Sequence, residues 1–497
     1  MEETGGLIMV DNLARKLDNA PKAEIEISEA PVKWCSVSLA EMVERGKRLE
    51  ASVFDVEARQ AWDLINNNKY PITSLGGANG LTTSYTCGRF KRIWVKKSEY
   101  PIYQPSSVVD LKPTPDGYIS KKTKVDIDSL RVHRGQILLT CSGTIGKVSL
   151  VSKTLDNAIF SHDLLRIDCK NPVDVGYIYT YLKSKIGSQI LITNKYGAVI
   201  THIESEHLDT VPIPNAPDAI KSKINDLIMQ SYDLRDESNA LIDQAQALLV
   251  KELNLPPISE IKVDTLDESK SVQTFNVKLS EMAGRADASY HVPIVDAIVD
   301  ILKKNAAEVT TVGDERISKS VVLAGVFKRT YVEEEYGYPF LGGKEITQLN
   351  PKTEKFLSKA IHKSRYEKEL KVTENTVLVT DRGTIGTVAL VPKHWNNYAV
   401  SQNVLKLVPA NNDIAGYIYV FLSSECGGIL LRRQTYGSVV DMIDNHSLEM
   451  VEFPLLKNQD VQKQINDLAL QANEKRYQAY LLEQKALKVL DEEVIFA

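Results

Sequence analysis

The chain has 497 residues and a formal net charge of -5, with 43% apolar and 25% charged residues. That is ordinary globular composition, long enough for two or three domains with separate cores. No apolar run approaches the roughly 18 residues of a membrane span, and Met1-Glu-Glu-Thr-Gly-Gly6 lacks the basic and apolar regions of a signal peptide, so a cytoplasmic protein without a membrane partner is expected. The cysteines, at 35, 87, 141, 169 and 426, show no Cys-x-x-Cys spacing and no nearby His pair, which argues against a disulfide framework or a zinc site.

In residues 1–23, Leu13, Leu17 and Pro21 stand as Leu249, Leu253 and Pro257 do later, and Ile25 as Ile261. This segment is expected to be helical and to continue the C-terminal helix in space. A common plan then runs through each half: a strand-like segment (Glu24-Ile-Glu-Ile27; Glu260-Ile-Lys-Val263), a Leu-x-Glu-Met element (Leu39 to Met42; Leu279 to Met282), a variable region, a constant block and a long helix.

The first variable region, 43–135, contains Arg89-Phe-Lys-Arg-Ile-Trp-Val-Lys-Lys97, where alternation would set cations on one face and Phe90 and Trp94 partly on the other. Arg89, Lys91, Arg92, Lys96 and Lys97, with Lys121 and Lys122 beyond them, can neutralise phosphates and reach base edges. Basic patches on a mildly acidic body are compatible with nucleic-acid binding, although each such residue alone also fits a solvated charged face.

The constant block follows. Thr140-Cys-Ser-Gly-Thr-Ile-Gly146 returns as Thr380-Asp-Arg-Gly-Thr-Ile-Gly386, and Gly176-Tyr-Ile-Tyr179 as Gly416-Tyr-Ile-Tyr419. Across 140–214 and 380–454, without a gap, 28 of 75 residues are identical, against roughly one in sixteen for unrelated sequences. Two copies of one domain are therefore expected, in tandem with a pseudo-twofold relation. The Gly-Thr-Ile-Gly segment lacks phosphate-loop spacing, so it reads as a tight turn between strands at 138–140 and 147–151, with its glycines at positive φ.

Residues 217–255 carry a heptad seam of Ile220, Ile224, Leu227, Ser231, Leu234, Ser238, Leu241, Ala245 and Leu248. The second half, 256–456, has its own basic and aromatic segments, with Lys328, Arg329, Tyr331, Lys344, Lys363 and Arg365 as nucleic-acid candidates. Residues 457–497 repeat the seam as Val461, Ile465, Leu468, Ala472, Lys475, Ala479, Leu482, Ala486 and Val489, and Ile-Asn-Asp-Leu occurs at both 224 and 465. The small seam residues allow two such helices to approach closely. An antiparallel pair of about 50 Å would hold the two globular parts well apart; the alternative is that each helix lies on its own domain. Lys475 interrupts the seam.

No cofactor loop, amino-methyltransferase tetrapeptide or paired metal motif is present in the sequence. The two-copy plan, with Gly-Thr-Ile-Gly, Gly-Tyr-Ile-Tyr and Tyr-Gly, a proline exit (Pro212, Pro214; Pro454) and a long helix in each half, resembles the specificity subunit of type I restriction-modification systems. The resemblance covers about Leu13 to Val489. It implies an α+β fold: two target-recognition domains (24–216 and 256–456) in pseudo-twofold tandem, separated by an antiparallel coiled coil of two long helices (217–255 and 457–497), with 1–23 completing the circle. It further implies a non-catalytic subunit that reads an asymmetric bipartite site in double-stranded DNA, and two methyltransferase subunits and a restriction-translocation subunit as partners. S-adenosylmethionine, ATP and Mg belong on those partners, and no cofactor, metal or catalytic residue on this chain. The alternatives are a DNA-modifying enzyme in one chain, which a recognisable cofactor motif would have favoured, the specificity component of a related phage-defence system with a different effector, and a protein-binding scaffold without a DNA role.

Overall fold

The structure, a computed structural model, describes residues 35–44, 47, 51–193, 195, 201–261, 263, 274–351, 355–437 and 439–497. The expected N-terminal helix and Glu24-Ile-Glu-Ile27 lie outside the described residues. The chain divides into two units, Met1–Arg59 and Gln60–Ala497, a cut that falls inside the region 24–216. In the first unit Ser38 and Glu41 cap the helix Leu39–Glu44 reciprocally: the Glu41 N–H donates to Ser38 Oγ (3.2 Å) and the Ser38 N–H to the Glu41 carboxylate (2.8 Å). Arg59 donates to that carboxylate and to the Ser36 carbonyl.

The second unit holds both globular halves, and they share one topology. In the first half Ile72–Ser74 pairs with Pro212–Pro214. A four-stranded antiparallel sheet runs in the order Thr82–Tyr85, Leu164–Cys169, Ile137–Thr140, Val148–Leu150, and another sheet in the order Trp94–Val95, Gly117–Ile119, Pro101–Tyr103, Ile159–Phe160. The second half repeats all three: Glu308–Thr311 with Glu452–Leu455, then Ser318–Val322, Val404–Pro409, Val377–Thr380, Val388–Leu390, then Tyr331–Val332, Phe356–Ser358, Gly337–Leu341, Ala399–Val400. Even the single parallel pair recurs, Ile102 beside Ile159 and Phe340 beside Ala399. The variable regions thus diverge in side chains while keeping one backbone plan. Glu260 ends a 3-10 turn (Ile258–Glu260) instead of opening a strand.

The constant block explains itself as scaffold. Gly143 and Gly146 sit at φ +71° and +87°, and Gly383 and Gly386 at +75° and +82°, as a turn between Ile137–Thr140 and Val148–Leu150 and its counterpart requires. Gly176 lies against the first long helix so closely that a Cβ would come within 2.5 Å of Asn225 Cα; at Gly416 it would come within 2.3 Å of the Asn466 carbonyl oxygen. In each case the Asn of Ile-Asn-Asp-Leu accepts the glycine N–H, at 2.9 and 2.8 Å. The next residue completes the joint: the Tyr177 hydroxyl donates to the Pro214 carbonyl, and that of Tyr417 to Pro454.

The long helices run Asp218–Glu252 and Gln459–Leu490. They are antiparallel, since partners rise along one as they fall along the other: Ser231 Oγ donates to the Ala479 carbonyl (2.7 Å), and Lys475 meets Glu237 (2.6 Å). One seam line is as the sequence suggests: Ile224, Ser231, Ser238 and Ala245 face Ile465, Ala472, Ala479 and Ala486, all buried. The second line sits one residue later than expected. Ile228, Arg235, Ile242 and Leu249, with Ala469, Arg476, Glu483 and Leu490, take the inner places, so Leu234, Leu241, Leu248 and Leu482 are half-buried on the flank. Leu227 and Leu468 are buried beside the seam. The displacement has a cause: a globular core packs on each flank, Leu241 and Leu248 touching the second and Leu482 the first. Lys475 therefore lies beside the seam, not in it.

The helices pair as expected, and each also lies on globular cores, its own and the opposite one. Each joins its own half through its N-terminal turns and enters the opposite core with its C-terminal end: Ile242, Ala245, Leu249, Leu253 and Leu255 pack in the second core, Ala486, Val489, Leu490, Val494 and Ile495 in the first. The halves are not held fully apart. Asp110 and Gln348 form an antiparallel bridge, the Leu111 N–H donates to the Thr347 carbonyl (2.9 Å), and the Thr347 hydroxyl to the Asp110 carboxylate (2.6 Å). Equivalent carbonyls on this bridge are held by different donors, Leu111 by the Asn239 amide (2.8 Å) and Leu349 by His394 Nε2 (2.7 Å). Beside it, buried Glu483 gathers four side chains from three segments: Arg235, Lys183 (2.5 Å), Tyr179 (3.0 Å) and Asn350 (2.9 Å). Burial acts to raise its pKa, but Lys183 and Arg235 outweigh that and hold the carboxyl well below the usual range.

Candidate nucleic-acid interface

In the first half the candidates converge on one sheet edge. Only Trp94–Val95 of the segment 89–97 is strand, and Trp94 pairs with Ile119, Val95 with Tyr118. The alternating-strand expectation therefore holds for two residues; the rest is loop, and Trp94, at 50% exposure, faces solvent. The chain after Ile119 runs back beside it, the Ser120 N–H donating to the Ile93 carbonyl (2.8 Å), which carries Lys121 and Lys122 along the segment that holds Arg89, Lys91, Lys96 and Lys97. Those six side chains are exposed, and Arg92 is half-buried with its guanidinium about equidistant from the Phe90 ring (5.9 Å) and the Trp94 ring (6.0 Å). Sequence reading missed His162, which lies edge-on to Phe90 at 5.9 Å. Burial pushes its imidazole below the ordinary range; Arg92 and Arg89 add to that while Asp163 opposes.

In the second half Tyr331–Val332 pairs with Phe356–Ser358, which leads into the helix Lys359–Arg365. Lys328, Arg329, Tyr331, Lys363 and Arg365 are thereby gathered. Lys328 and Lys363 are exposed and Tyr331 is 40% exposed. Arg365 is committed: it donates to the Gly325 carbonyl (3.0 Å) and Glu369 (2.8 Å) and stacks over Phe327. His362, which the sequence places in the same basic segment as Lys363 and Arg365, accepts the Thr330 N–H through Nε2 (3.1 Å) and so fixes the basic loop on the helix. Lys344 stands apart from the others. Its loop is the one that bridges to the first half, and it lines a cavity of about 320 Å³ with Lys147, Arg235 and Asp236.

The two basic loops are one motif. Phe90-Lys-Arg-Ile-Trp-Val95 and Phe327-Lys-Arg-Thr-Tyr-Val332 share Phe, Lys, Arg, an aromatic and Val in the same order. Their backbones match too, because the Ser358 N–H donates to the Thr330 carbonyl (3.0 Å) as Ser120 does to Ile93. A gapless comparison at the 240-residue spacing of the constant block slides past this match, which sits at 237.

Among the described residues no group of three or more His, Cys, Asp or Glu side chains converges as a metal site, and no single helix is long and apolar enough to cross a membrane. The family model described as "Type I restriction modification DNA specificity domain" matches residues 31–245 and 325–469. The chain belongs to that family. Among solved structures, the S subunit of a type-I restriction-modification system from M. genitalium is 14% identical, covers 86% of this chain and 96% of its own, and has a TM-score of 0.33. The HsdS subunit from Thermoanaerobacter tengcongensis is 12% identical, with 84% and 98% covered and a TM-score of 0.25. No curated protein matches the chain. As a member of this family the chain is a type I specificity subunit, with two copies of one recognition domain.

Proposed function

We propose that this subunit reads an asymmetric, bipartite site in double-stranded DNA and directs methyltransferase and restriction subunits to it. Two methyltransferase subunits would dock on the pseudo-twofold body, with S-adenosylmethionine on them and ATP and Mg on the restriction subunit; this chain supplies recognition without catalysis. The observation that carries the reading is one backbone plan occurring twice, with a different solvent-facing set of cations and aromatics on the same sheet edge each time. Unlike side chains on like frames suit two different half-sites, with phosphate contacts setting position and base-edge contacts setting sequence.

The test is a domain exchange. Co-expressed with its methyltransferase subunit, the chain is expected to place methyl-adenine at one bipartite motif, read by mapping modified bases across a genome. Replacing residues 43–135 with those of a relative should change one half of the motif and leave the other. Simultaneous change of both halves, or methylation by this chain without a partner, would defeat the proposal.

A further inference from the structure

We infer that the shared Lys-Arg pair, Lys91-Arg92 in one half and Lys328-Arg329 in the other, is a phosphate clamp, and that the unlike residues around it choose the bases. This rests on the DNA-reading function proposed above and divides the labour within it.

Position by position, Arg89 is replaced by Val326, and Lys96-Lys97 by Glu333-Glu334, so the charges flanking the motif are lost or reversed between the halves. The Lys-Arg pair is unchanged. Packing accounts for the other shared residues: Phe90 and Phe327 rest on the small cores of their sheets, and Val95 and Val332 pair across to Tyr118 and Phe356. It does not account for the cations. Lys91 and Lys328 are exposed, and neither they nor Arg92 and Arg329 take part in an ion pair with a described residue. Arg92 lies against Phe90 and Trp94, and Arg329 over Phe340 at 5.5 Å, so each guanidinium is aimed by a ring without being neutralised. Arg92 Nε is buried with no partner.

Two readers of unlike base sequences have one ligand feature in common, the sugar-phosphate backbone. A cation pair that persists where its neighbours change sign fits that common feature. Reversed neighbours fit the bases, which differ.

The experiment uses the complex of this chain with its methyltransferase subunit and two duplexes, one containing the mapped motif and one lacking it. Lys91→Gln and Lys328→Gln, at exposed positions, should each weaken binding to both duplexes by the same factor, roughly 5- to 10-fold at 0.1 M salt, and flatten the plot of log affinity against log salt by about 0.9. Lys91→Arg and Lys328→Arg should retain the wild-type slope, and the methylated motif should stay as it was in every variant. A changed motif would make these residues base readers and overturn the assignment, as would an unchanged salt slope in a folded variant. If the wild-type complex itself bound no duplex in preference, the proposed function would fail first, and the two failures are thereby distinguished.

Discussion

Glu483 shows how a single residue is tied to the whole. A carboxylate in the middle of a helix seam reads in the sequence as a charged position near the surface, because its partners Lys183, Arg235 and Asn350 come from segments up to 300 residues away and no periodicity links them. The same limit hid His162, and hid the bond by which His362 holds Thr330. What was legible at this scale were residues repeated between the halves: the Gly-Thr-Ile-Gly turn, Gly176 and Gly416, and the tyrosines that follow them, because identity across two copies reports a shared constraint on packing. The nucleic-acid candidates were legible as a class but not as a group, since Lys344 sits at the inter-half bridge and Arg365 is spoken for by Glu369. Removing the Glu483 carboxylate leaves Lys183 and Arg235, both largely covered, without their shared counter-charge. Glu483→Ala should cost about 3–5 kcal/mol, as expected when one partner of a buried pair is deleted, and equilibrium denaturation would measure it. The double variant Glu483→Leu with Arg235→Met should recover most of the loss; a Glu483→Ala protein as stable as wild type would show that the cluster contributes nothing to holding the segments together.

At the scale of elements, the heptad pattern located both long helices and one of their two seam lines, and missed the second by a single position. Sequence periodicity assumes one partner, whereas each helix here has three: the other helix, its own half and the core of the opposite half. Flanking leucines could serve the cores, which left the inner line to Arg235, Ile242, Arg476 and Glu483. In the line of small residues, Ser231 and Ala479 meet across the helix pair, and there the close approach is tested directly. Ser231→Leu and Ala479→Leu, each adding bulk to a fully buried contact, should destabilise by about 1–3 kcal/mol apiece; Ser231→Leu also loses the bond to the Ala479 carbonyl. Leu234→Ala, on the flank, should cost less than either. Denaturation midpoints at constant slope decide it, and a larger loss at Leu234 would restore the heptad reading of the seam.

The whole molecule closes on itself because each helix starts in one half and finishes in the other, and this decides how the distance between the readers could be changed. Within the first helix, residues up to Asn239 are bound to the first half, through Asn225, Tyr232 and Asp236, and residues from Ile242 onward to the second core. Four residues inserted between Asn239 and Ile242 add about one turn, or ~6 Å, between the two sets of attachments, at the loss of the surface ion pair of Lys112 with Asp243. On DNA this corresponds to one or two base pairs of ~3.4 Å. The second helix spans the same gap from Ala472 to Glu483 and is not lengthened by that insertion, so the single variant strains the pair and the bridge between Asp110 and Gln348. A second four-residue insertion, between Ala479 and Glu483, lengthens the other helix as well; the seam can then re-form one turn along, while the bridge between Asp110 and Gln348 is given up. The expected outcome is a destabilised single variant, a double variant with stability partly restored, and a methylated motif in the double variant whose half-sites are unchanged and whose spacer is one or two base pairs longer. An active double variant with the original spacer would show that the helices join the halves without setting the distance between the sequences they read.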